Sequence, residues 1–213
     1  MDERLWRNAQ DIRAAITQGL CGPVEFRMAI DKVPAIERDA WVDAVFGLEE
    51  VLEDGPELPK GCVPYLPCAV DVLLRIAYQL PVRPKDVFVD IGSGMGRAAV
   101  LMHLLTGASA MGIEVQSGHV KAAQELTRRL RLSDVMFVQG DAVGRIQEFA
   151  EGTVFFLYCP FSGERVERFL ANLESLARKR AIAVCSVDLP LPECSWLERV
   201  GAEFGDLRMY RSV

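Results

Sequence analysis

The sequence predicts an α/β fold in which a doubly wound, mostly parallel sheet of seven strands follows an N-terminal helical arm. Two patterns lead to this prediction. From residue 61 onward, short apolar runs rich in β-branched and aromatic residues alternate with amphipathic helical segments, which is typical of βαβ units and a parallel sheet. The last two runs, residues 196–200 and 207–211, stand too close together for a parallel crossover, so the last strand is predicted to be antiparallel.

Residues 1–60 make up the predicted arm, which has the pattern of helices throughout. The first helix carries one apolar stripe, formed at helical spacing by Leu5, Ala9, Ile12, Ile16 and Leu20. Two more helical stretches follow, around residues 26–30 and 41–52, and the glycines and prolines at 55–56 and 59–61 end the arm. We expect this arm either to pack against the core alone or also to act as a lid that closes a site.

Residues 61–213 make up the predicted core. Its strands are predicted at residues 87–91, 108–113, 135–138, 154–158, 181–187, 196–200 and 207–211. Its helices are predicted at residues 70–80, 97–105, 120–130, 144–150 and 164–177. Because strands and helices alternate along the chain, the helices should cover both faces of the sheet.

The composition excludes several classes of protein. Half of the 213 residues are hydrophobic and a quarter are charged, as in globular chains and unlike disordered or fibrous ones. The formal charge of −6 argues against a nucleic-acid partner. No apolar run reaches the ~20 residues that span a bilayer, and the charged N-terminus lacks a secretory signal, so we expect a cytoplasmic protein with no membrane partner. With two histidines and no CxxC pair among the six cysteines, no metal site is predicted.

The strongest functional signal is a glycine-rich turn between a predicted strand and a predicted helix. Glycines stand at positions 92, 94 and 96, and Asp90 precedes them at the end of the strand. In a doubly wound sheet this first turn is where ligands bind, and the following helix offers free N–H groups to a carboxylate. The spacing is GxGxG rather than the GxGxxG of dinucleotide sites, and Asp90 would repel a pyrophosphate. The turn therefore favours a ligand that carries an ammonium or sulfonium group.

Two further acids follow the next two predicted strands. Glu114 stands at the end of the second strand, and Asp141 follows the third. Because the carboxyl ends of parallel strands meet at one edge of a sheet, we expect Asp90, Glu114 and Asp141 to converge on one crevice. In Rossmann-like sheets, an acid in the position of Glu114 takes ribose hydroxyls.

Three segments, VFVDIGSGMGR, MGIEVQ and VQGDA, resemble the motifs of the class I S-adenosylmethionine-dependent methyltransferases, and the resemblance covers roughly residues 61–213. It implies a Rossmann-like fold with an antiparallel last strand, and S-adenosyl-L-methionine as the cofactor. By this resemblance the methionine part would be held by Asp90, Gly92, Ser93, Gly94 and Gly96, the ribose hydroxyls by Glu114 with Val115 beside it, and the adenine amino group by Asp141 with the backbone of Ala142. The form DIGSGMGR after VPYLP is similar to the non-SET protein-lysine methyltransferases, which include histone-type and ATP-synthase c-subunit-type enzymes.

The fourth predicted strand ends in the sequence YCPF, residues 158–161, which by the same resemblance faces the transferred methyl group. Members that methylate DNA or glutamine carry DPPY or NPPY there, and Cys159 takes the place of the Asp or Asn. The side-chain carbonyl that orients an amide or an exocyclic amine is therefore missing, which counts against nucleobase or glutamine methylation. We expect Tyr158, Phe161 and Tyr65 to contribute to catalysis, with Tyr158 also touching the cofactor; for the two tyrosines, packing alone is the alternative. Cys159 is interpreted as an apolar filler rather than a catalytic thiol.

The leading hypothesis is an S-adenosylmethionine-dependent methyltransferase that acts by in-line transfer on a nitrogen of a protein lysine or of a small molecule. One alternative is a non-catalytic S-adenosylmethionine-binding partner subunit. A nicotinamide-dependent oxidoreductase is disfavoured because the GxGxxG spacing is absent. The helices that carry Trp6 and Trp41 could pack on the core or on a second copy of the chain, so a homo-oligomer is a further expectation to test.

Overall fold

A computed structural model describes the whole chain except Glu49, Val51, Pro56 and Glu57, and except the side chain of Glu203. The chain break predicted at residues 55–56 therefore lies partly outside the described residues. The rest of the chain folds into a seven-stranded sheet with helices on both faces, as predicted.

The strands of the sheet are β1 (Val87–Ile91), β2 (Ser109–Glu114), β3 (Val135–Gln139), β4 (Val154–Tyr158), β5 (Ala183–Val187), β6 (Leu197–Phe204) and β7 (Leu207–Ser212). They lie in the order β3-β2-β1-β4-β5-β7-β6. Strands β1 to β5 are mutually parallel, and β7 runs antiparallel to both β5 and β6, which confirms the predicted last strand. Because β1 is followed by β2 on one side and β4 lies on the other, a crevice opens at the carboxyl ends of these strands.

The helices of the core are α4 (Val70–Gln79), α5 (Arg97–Thr106), α6 (Ser117–Leu130), α7 (Ala142–Arg145) and α8 (Glu164–Ala177). The arm supplies α1 (Glu3–Thr17), α2 (Pro23–Ile30) and α3 (Arg38–Phe46). In the described part of the chain, no helix combines the length and the apolar character that crossing a membrane requires.

The apolar runs of the strands are buried on both faces, because successive side chains point to opposite sides of a sheet. Phe88 and Phe156 stack on one face, with 5.8 Å between their ring centroids, in the cluster that includes α4, α5 and α6. Val89 and Phe155 point to the other face and pack with α7 and α8.

The arm shares the hydrophobic core of the first face. Phe26 of α2 and Trp41 of α3 are fully buried in the same cluster as α5 and α6. The indole N–H of Trp41 donates to Asn8 Oδ1 at 3.0 Å and so ties α3 to α1. Trp6 is 53% exposed on α1, and its contact with a second copy stays a prediction.

The third arm helix is shorter than predicted. It ends at Phe46 because Gly47 adopts the left-handed conformation, with a φ of 68°, and its N–H bonds back to the carbonyl of Asp43. The predicted helix through residue 52 is therefore wrong for the described residues 47, 48, 50 and 52, whereas Glu49 and Val51 lie outside the described residues. The described residues that follow form irregular chain, in which Gly55 reaches Gln116 just beyond β2.

Candidate active site

A cavity lies at the carboxyl ends of β1 to β4. Its wall is formed by the glycine turn after β1, by the residues that follow β2, β3 and β4, and by the segment before α4. The predicted site residues that line it are Tyr65, Asp90, Gly92, Ser93, Glu114, Val115, Asp141, Ala142, Tyr158 and Phe161. The fold therefore brings these residues to one crevice.

The glycine turn is held against β2 by backbone hydrogen bonds. The N–H groups of Gly92 and Ser93 both donate to the carbonyl of Ile113, at 2.9 and 3.1 Å. Gly94 has a φ of 49°, and a Cβ added to it would lie 2.0 Å from the ring of Tyr65. Any side chain at this position would displace that ring, so the turn requires glycine here.

Gly96 has a different part in the turn. In the described structure neither Gly94 nor Gly96 lines the cavity. Gly96 precedes α5 with a φ of 83°, and a Cβ added to it would lie 2.5 Å from Phe137 and 2.9 Å from Ala123. The structure therefore places Gly96 where the turn packs against β3 and α6.

Asp90 is buried at the end of β1, with 3% of its surface exposed. Burial and the nearby Glu114 carboxylate raise the pKa of Asp90 to about 7, although a hydrogen bond from the N–H of Ala99 acts in the opposite direction. Among the described residues, no lysine or arginine forms a salt bridge with Asp90. A cationic ligand group would stabilise its charged form.

Glu114 is a buried carboxylate that two backbone groups hold in place. Its Oε2 accepts from the N–H of Gly94, and its Oε1 accepts from the N–H of Gln116, each at 2.9 Å. Each carboxylate oxygen can accept a further hydrogen bond, so the pair of oxygens suits two adjacent hydroxyls.

Asp141 caps the short helix α7 beside the cavity. Its Oδ1 accepts from the N–H of Val143 at 3.0 Å and from Arg165 Nη2 at 2.6 Å. The Arg165 guanidinium also lies over the ring of Phe161, 5.6 Å from its centroid. No sequence signal pointed to Arg165, because its partner Asp141 lies on another element and is not a helical neighbour.

The other end of the cavity lies where β4 ends, and β5 ends beside it. The Tyr158 hydroxyl donates a hydrogen bond to Asp188, the residue after β5, and burial together with the Asp188 charge raises the pKa of Tyr158 to about 12. The N–H of Cys159 donates to the carbonyl of Val187 at 3.1 Å and keeps the two strand ends together. The sequence analysis did not predict a role for Asp188. The pattern that indicated Glu114 and Asp141, an acid at the end of a strand, is present there as well.

Tyr65 and Phe161 both line the cavity, but their rings pack against different parts of the protein. The Tyr65 ring packs on the glycine turn and against His119, at 5.1 Å between centroids, and its hydroxyl accepts from the N–H of Met95. Phe161 is buried against Phe169, at 5.5 Å between centroids. A catalytic part for either residue stays a prediction.

Arg97, the first residue of α5, joins the arm to the cavity wall. Its buried guanidinium donates to Asp43 at 2.6 Å and to Asp39 at 2.9 Å on α3, and to the carbonyl of Cys68 at 2.6 Å. The sequence analysis missed this residue because both acids lie more than fifty residues away.

Comparisons with known proteins find methyltransferases of the same fold. Residues 65–149 match the family described as histone methylation protein DOT1. Among solved structures, the chain is similar to an RNA methyltransferase from Salinibacter ruber in complex with S-adenosyl-L-homocysteine, with 26% identity and a TM-score of 0.53 over 69% of this chain and 92% of that one. The same fold occurs in TrmN from Thermus thermophilus (18% identity, TM-score 0.52, 67% of this chain and 48% of that one) and in yhhF from Escherichia coli (16%, 0.52, 73% and 90%). A search of curated proteins finds no match.

The residues of the cavity fit S-adenosylmethionine. Asp90 offers a buried carboxylate to its ammonium group, and the Ser93 hydroxyl in the same turn is buried without a partner among the described residues. Glu114 would take the ribose hydroxyls, and Asp141 would face the adenine amino group. The sheet, the cavity and the comparisons support the fold and the cofactor of a class I, Rossmann-like S-adenosylmethionine-dependent methyltransferase.

Proposed function

We propose that the protein methylates the side-chain nitrogen of a lysine in another protein. The observation that carries this proposal is the Tyr158–Asp188 pair: Tyr158 lines the cavity beside Cys159, at what we call its acceptor end, and Asp188 bonds to the Tyr158 hydroxyl from outside the lining. Asp188 is exposed, and after burial its charge is the main influence that raises the pKa of Tyr158 and of Cys159. A carboxylate this close to the cavity attracts a cationic amine.

The acceptor end suits an amine that arrives as an ammonium ion. S-adenosylmethionine supplies a methyl group on a positively charged sulfur, and the amine must lose a proton before its lone pair can attack. Asp188 would attract the ammonium ion, and the proton would leave to water before the lone pair attacks the methyl group. The backbone carbonyls of Tyr158 and Cys159 would orient the remaining N–H groups. Much of the acceleration then comes from holding the two reactants in line.

Three features favour a protein acceptor over RNA or a small molecule. The match to the histone methylation family spans Tyr65, Asp90, Glu114 and Asp141. Leu66 lines the cavity and is also 62% exposed, so it offers an apolar contact to a protein surface. The net charge of −6 disfavours RNA, although a similar structure is named as an RNA methyltransferase.

Methyl-labelled S-adenosylmethionine tests the proposal directly. The protein is incubated separately with histones, with free lysine and with RNA, and the product is identified by mass spectrometry. We expect methyl-lysine in the protein acceptor. Label found only in RNA or only in free lysine would overturn the proposed acceptor. Cofactor binding without transfer to any of the three would support the non-catalytic subunit instead.

The Asp188→Asn variant tests the part that we assign to the Tyr158–Asp188 pair. We expect kcat/KM for the protein acceptor to fall about tenfold, since a charge-assisted contact to the ammonium ion is lost, while S-adenosylmethionine affinity stays unchanged. Glu193→Gln is the matched control because it removes the same charge from an exposed residue nearby in the chain, outside the cavity. Equal effects of the two variants would mean that only general charge matters.

A further inference from the structure

Residues 52–55 together with Tyr65, here called the strap, lie across the end of β2 beside the glycine turn. The carbonyl of Leu52 lies 3.2 Å from His119 Nε2, and the ring of His119 packs on the ring of Tyr65. Asp54 Oδ1 accepts from the N–H of Tyr65 at 3.0 Å. Tyr65 lines the cofactor cavity directly, and residues 52–55 contact it through their neighbours.

Gln116 joins this strap to the ribose-binding carboxylate. Its side-chain oxygen accepts from the N–H of Gly55 at 2.6 Å, and its side-chain nitrogen donates to Asp54 Oδ1 at 2.6 Å. Its own N–H donates to Glu114 Oε1 at 2.9 Å. Gln116 is 3% exposed, whereas its partner Asp54 is exposed, so the contacts to the strap are only partly buried. An amide side chain is suited to this position because it donates and accepts at once.

These contacts form a closed circuit around the place for the ribose. Glu114 holds Gly94 through Oε2 and Gln116 through Oε1. The Gln116 side chain donates to Asp54, and Asp54 accepts from the backbone N–H of Tyr65. The ring of Tyr65 lies on Gly94 and so completes the circuit. Any movement of the strap therefore changes the surroundings of the Glu114 carboxylate.

We propose that Gln116 is a positioning residue that couples cofactor binding to the closed position of the strap. A ligand that engages Glu114 stabilises the carboxylate orientation that Gln116 also requires, so ligand and closed strap favour one another. By reciprocity, weakening the Gln116–Asp54 contact lowers the affinity for the ligand. The inference concerns the cofactor only and does not depend on the identity of the methyl acceptor.

The Gln116→Glu variant breaks one contact while keeping the shape of the side chain. A glutamate at position 116 can still accept from the N–H of Gly55, but it repels Asp54. We expect the affinity for S-adenosylhomocysteine, measured by calorimetry, to fall about tenfold, which corresponds to about 1.4 kcal/mol. Hydrogen exchange at the amides of Gly55 and Tyr65 should become faster in the ligand-bound variant.

Adding Asp54→Asn to Gln116→Glu should remove the repulsion between the two side chains. The new asparagine is uncharged, and its side-chain oxygen can still accept from the N–H of Tyr65. We expect the double variant to recover affinity to within about threefold of the wild type, as a double-mutant cycle requires for residues in contact. Gln18→Glu is the control, because it adds the same charge at an exposed position outside the cavity.

Several results would overturn the proposal. Unchanged affinity in Gln116→Glu would mean that the strap and the ligand are independent. Tighter binding would mean that the closed strap competes with the ligand. A double variant no better than the single one, with an unaltered melting temperature, would assign the effect to Glu114 alone.

Discussion

The two ends of the cavity are assembled in different ways. At the cofactor end, Asp90 and Glu114 lie at the ends of β1 and β2, and Asp141 follows β3. Backbone N–H groups fix Glu114 and Asp141. At the acceptor end, Tyr158 and Asp188 come from strands that a long helix separates, and both Cys159 and Asp188 have positive φ values. Recognition of a fixed cofactor is thus encoded in local motifs, whereas the acceptor end is free to vary with β4, β5 and their loops.

Asp90→Asn gives the sharpest test of the cofactor end. It removes the buried negative charge that would pair with the ligand ammonium and leaves the shape nearly the same. We expect the affinity for S-adenosylhomocysteine to fall at least ~100-fold, or about 3 kcal/mol, because a partner of a buried charge is lost. The melting temperature of the ligand-free protein should not fall, because an unpaired buried carboxylate is removed. A loss of affinity below about fivefold would contradict the assigned part of Asp90.

Gly96→Ala separates packing from binding within the glycine turn. The left-handed backbone and the 2.5 Å approach to Phe137 should cost about 2–4 kcal/mol of unfolding free energy, measured by urea denaturation. Gly118→Ala is the matched control, since a Cβ there meets nothing within 4 Å and the residue lies inside α6. If both variants have wild-type stability, the assignment of Gly96 to packing is wrong.

The raised pKa of Asp90 predicts that cofactor affinity depends on pH. With a pKa of about 7, Asp90 is mostly protonated at pH 6 in the ligand-free protein, and an ammonium group needs the ionised form. The affinity for S-adenosylhomocysteine should rise about tenfold from pH 6 to pH 7.5 in the wild type and stay flat in Asp90→Asn.

The same group affects stability with the opposite dependence on pH. Because its folded pKa lies above the unfolded value, the native state binds more protons between about pH 4 and 7. The contribution of Asp90 to the unfolding free energy is therefore present at low pH and is lost as the pH rises through 7. Urea titrations of the wild type and of Asp90→Asn across this range measure the difference.

Of the variants considered, Cys159→Ser should change the measured properties least. It tests whether the Cys159 thiol takes part in catalysis at the acceptor end. Burial and the charge of Asp188 raise the pKa of the Cys159 thiol, so it is a poor nucleophile at neutral pH. We expect kcat to change less than about threefold, and alkylation by iodoacetamide to be slow at pH 7. A loss of more than about 30-fold would restore the catalytic thiol as a hypothesis.

The parts of the molecule that the sequence predicted are those whose causes are local. The bounds of β1, β4 and α8 agree with the predicted ones because alternating apolar runs and helical stripes are properties of neighbouring residues. The end of α3 could not be predicted from the helical spacing of apolar residues, which continues beyond the helix. The left-handed conformation of Gly47 ends the helix at Phe46. The sequence analysis did not predict the roles of Gln116 and Arg97, because the residues they bond to lie about 50 to 60 positions away along the chain.

The core that the arm shares with α5 and α6 has a consequence for synthesis on the ribosome. The first three helices leave the ribosome before their apolar partners have been made. About 80 residues separate the end of α3 from the end of α6, so at 5–20 residues per second the wait is roughly 4–16 s. During that time Phe26 and Trp41 can pack on each other within the arm, but they lack the surface that α5 and α6 supply, and such exposed apolar surface is what chaperones bind.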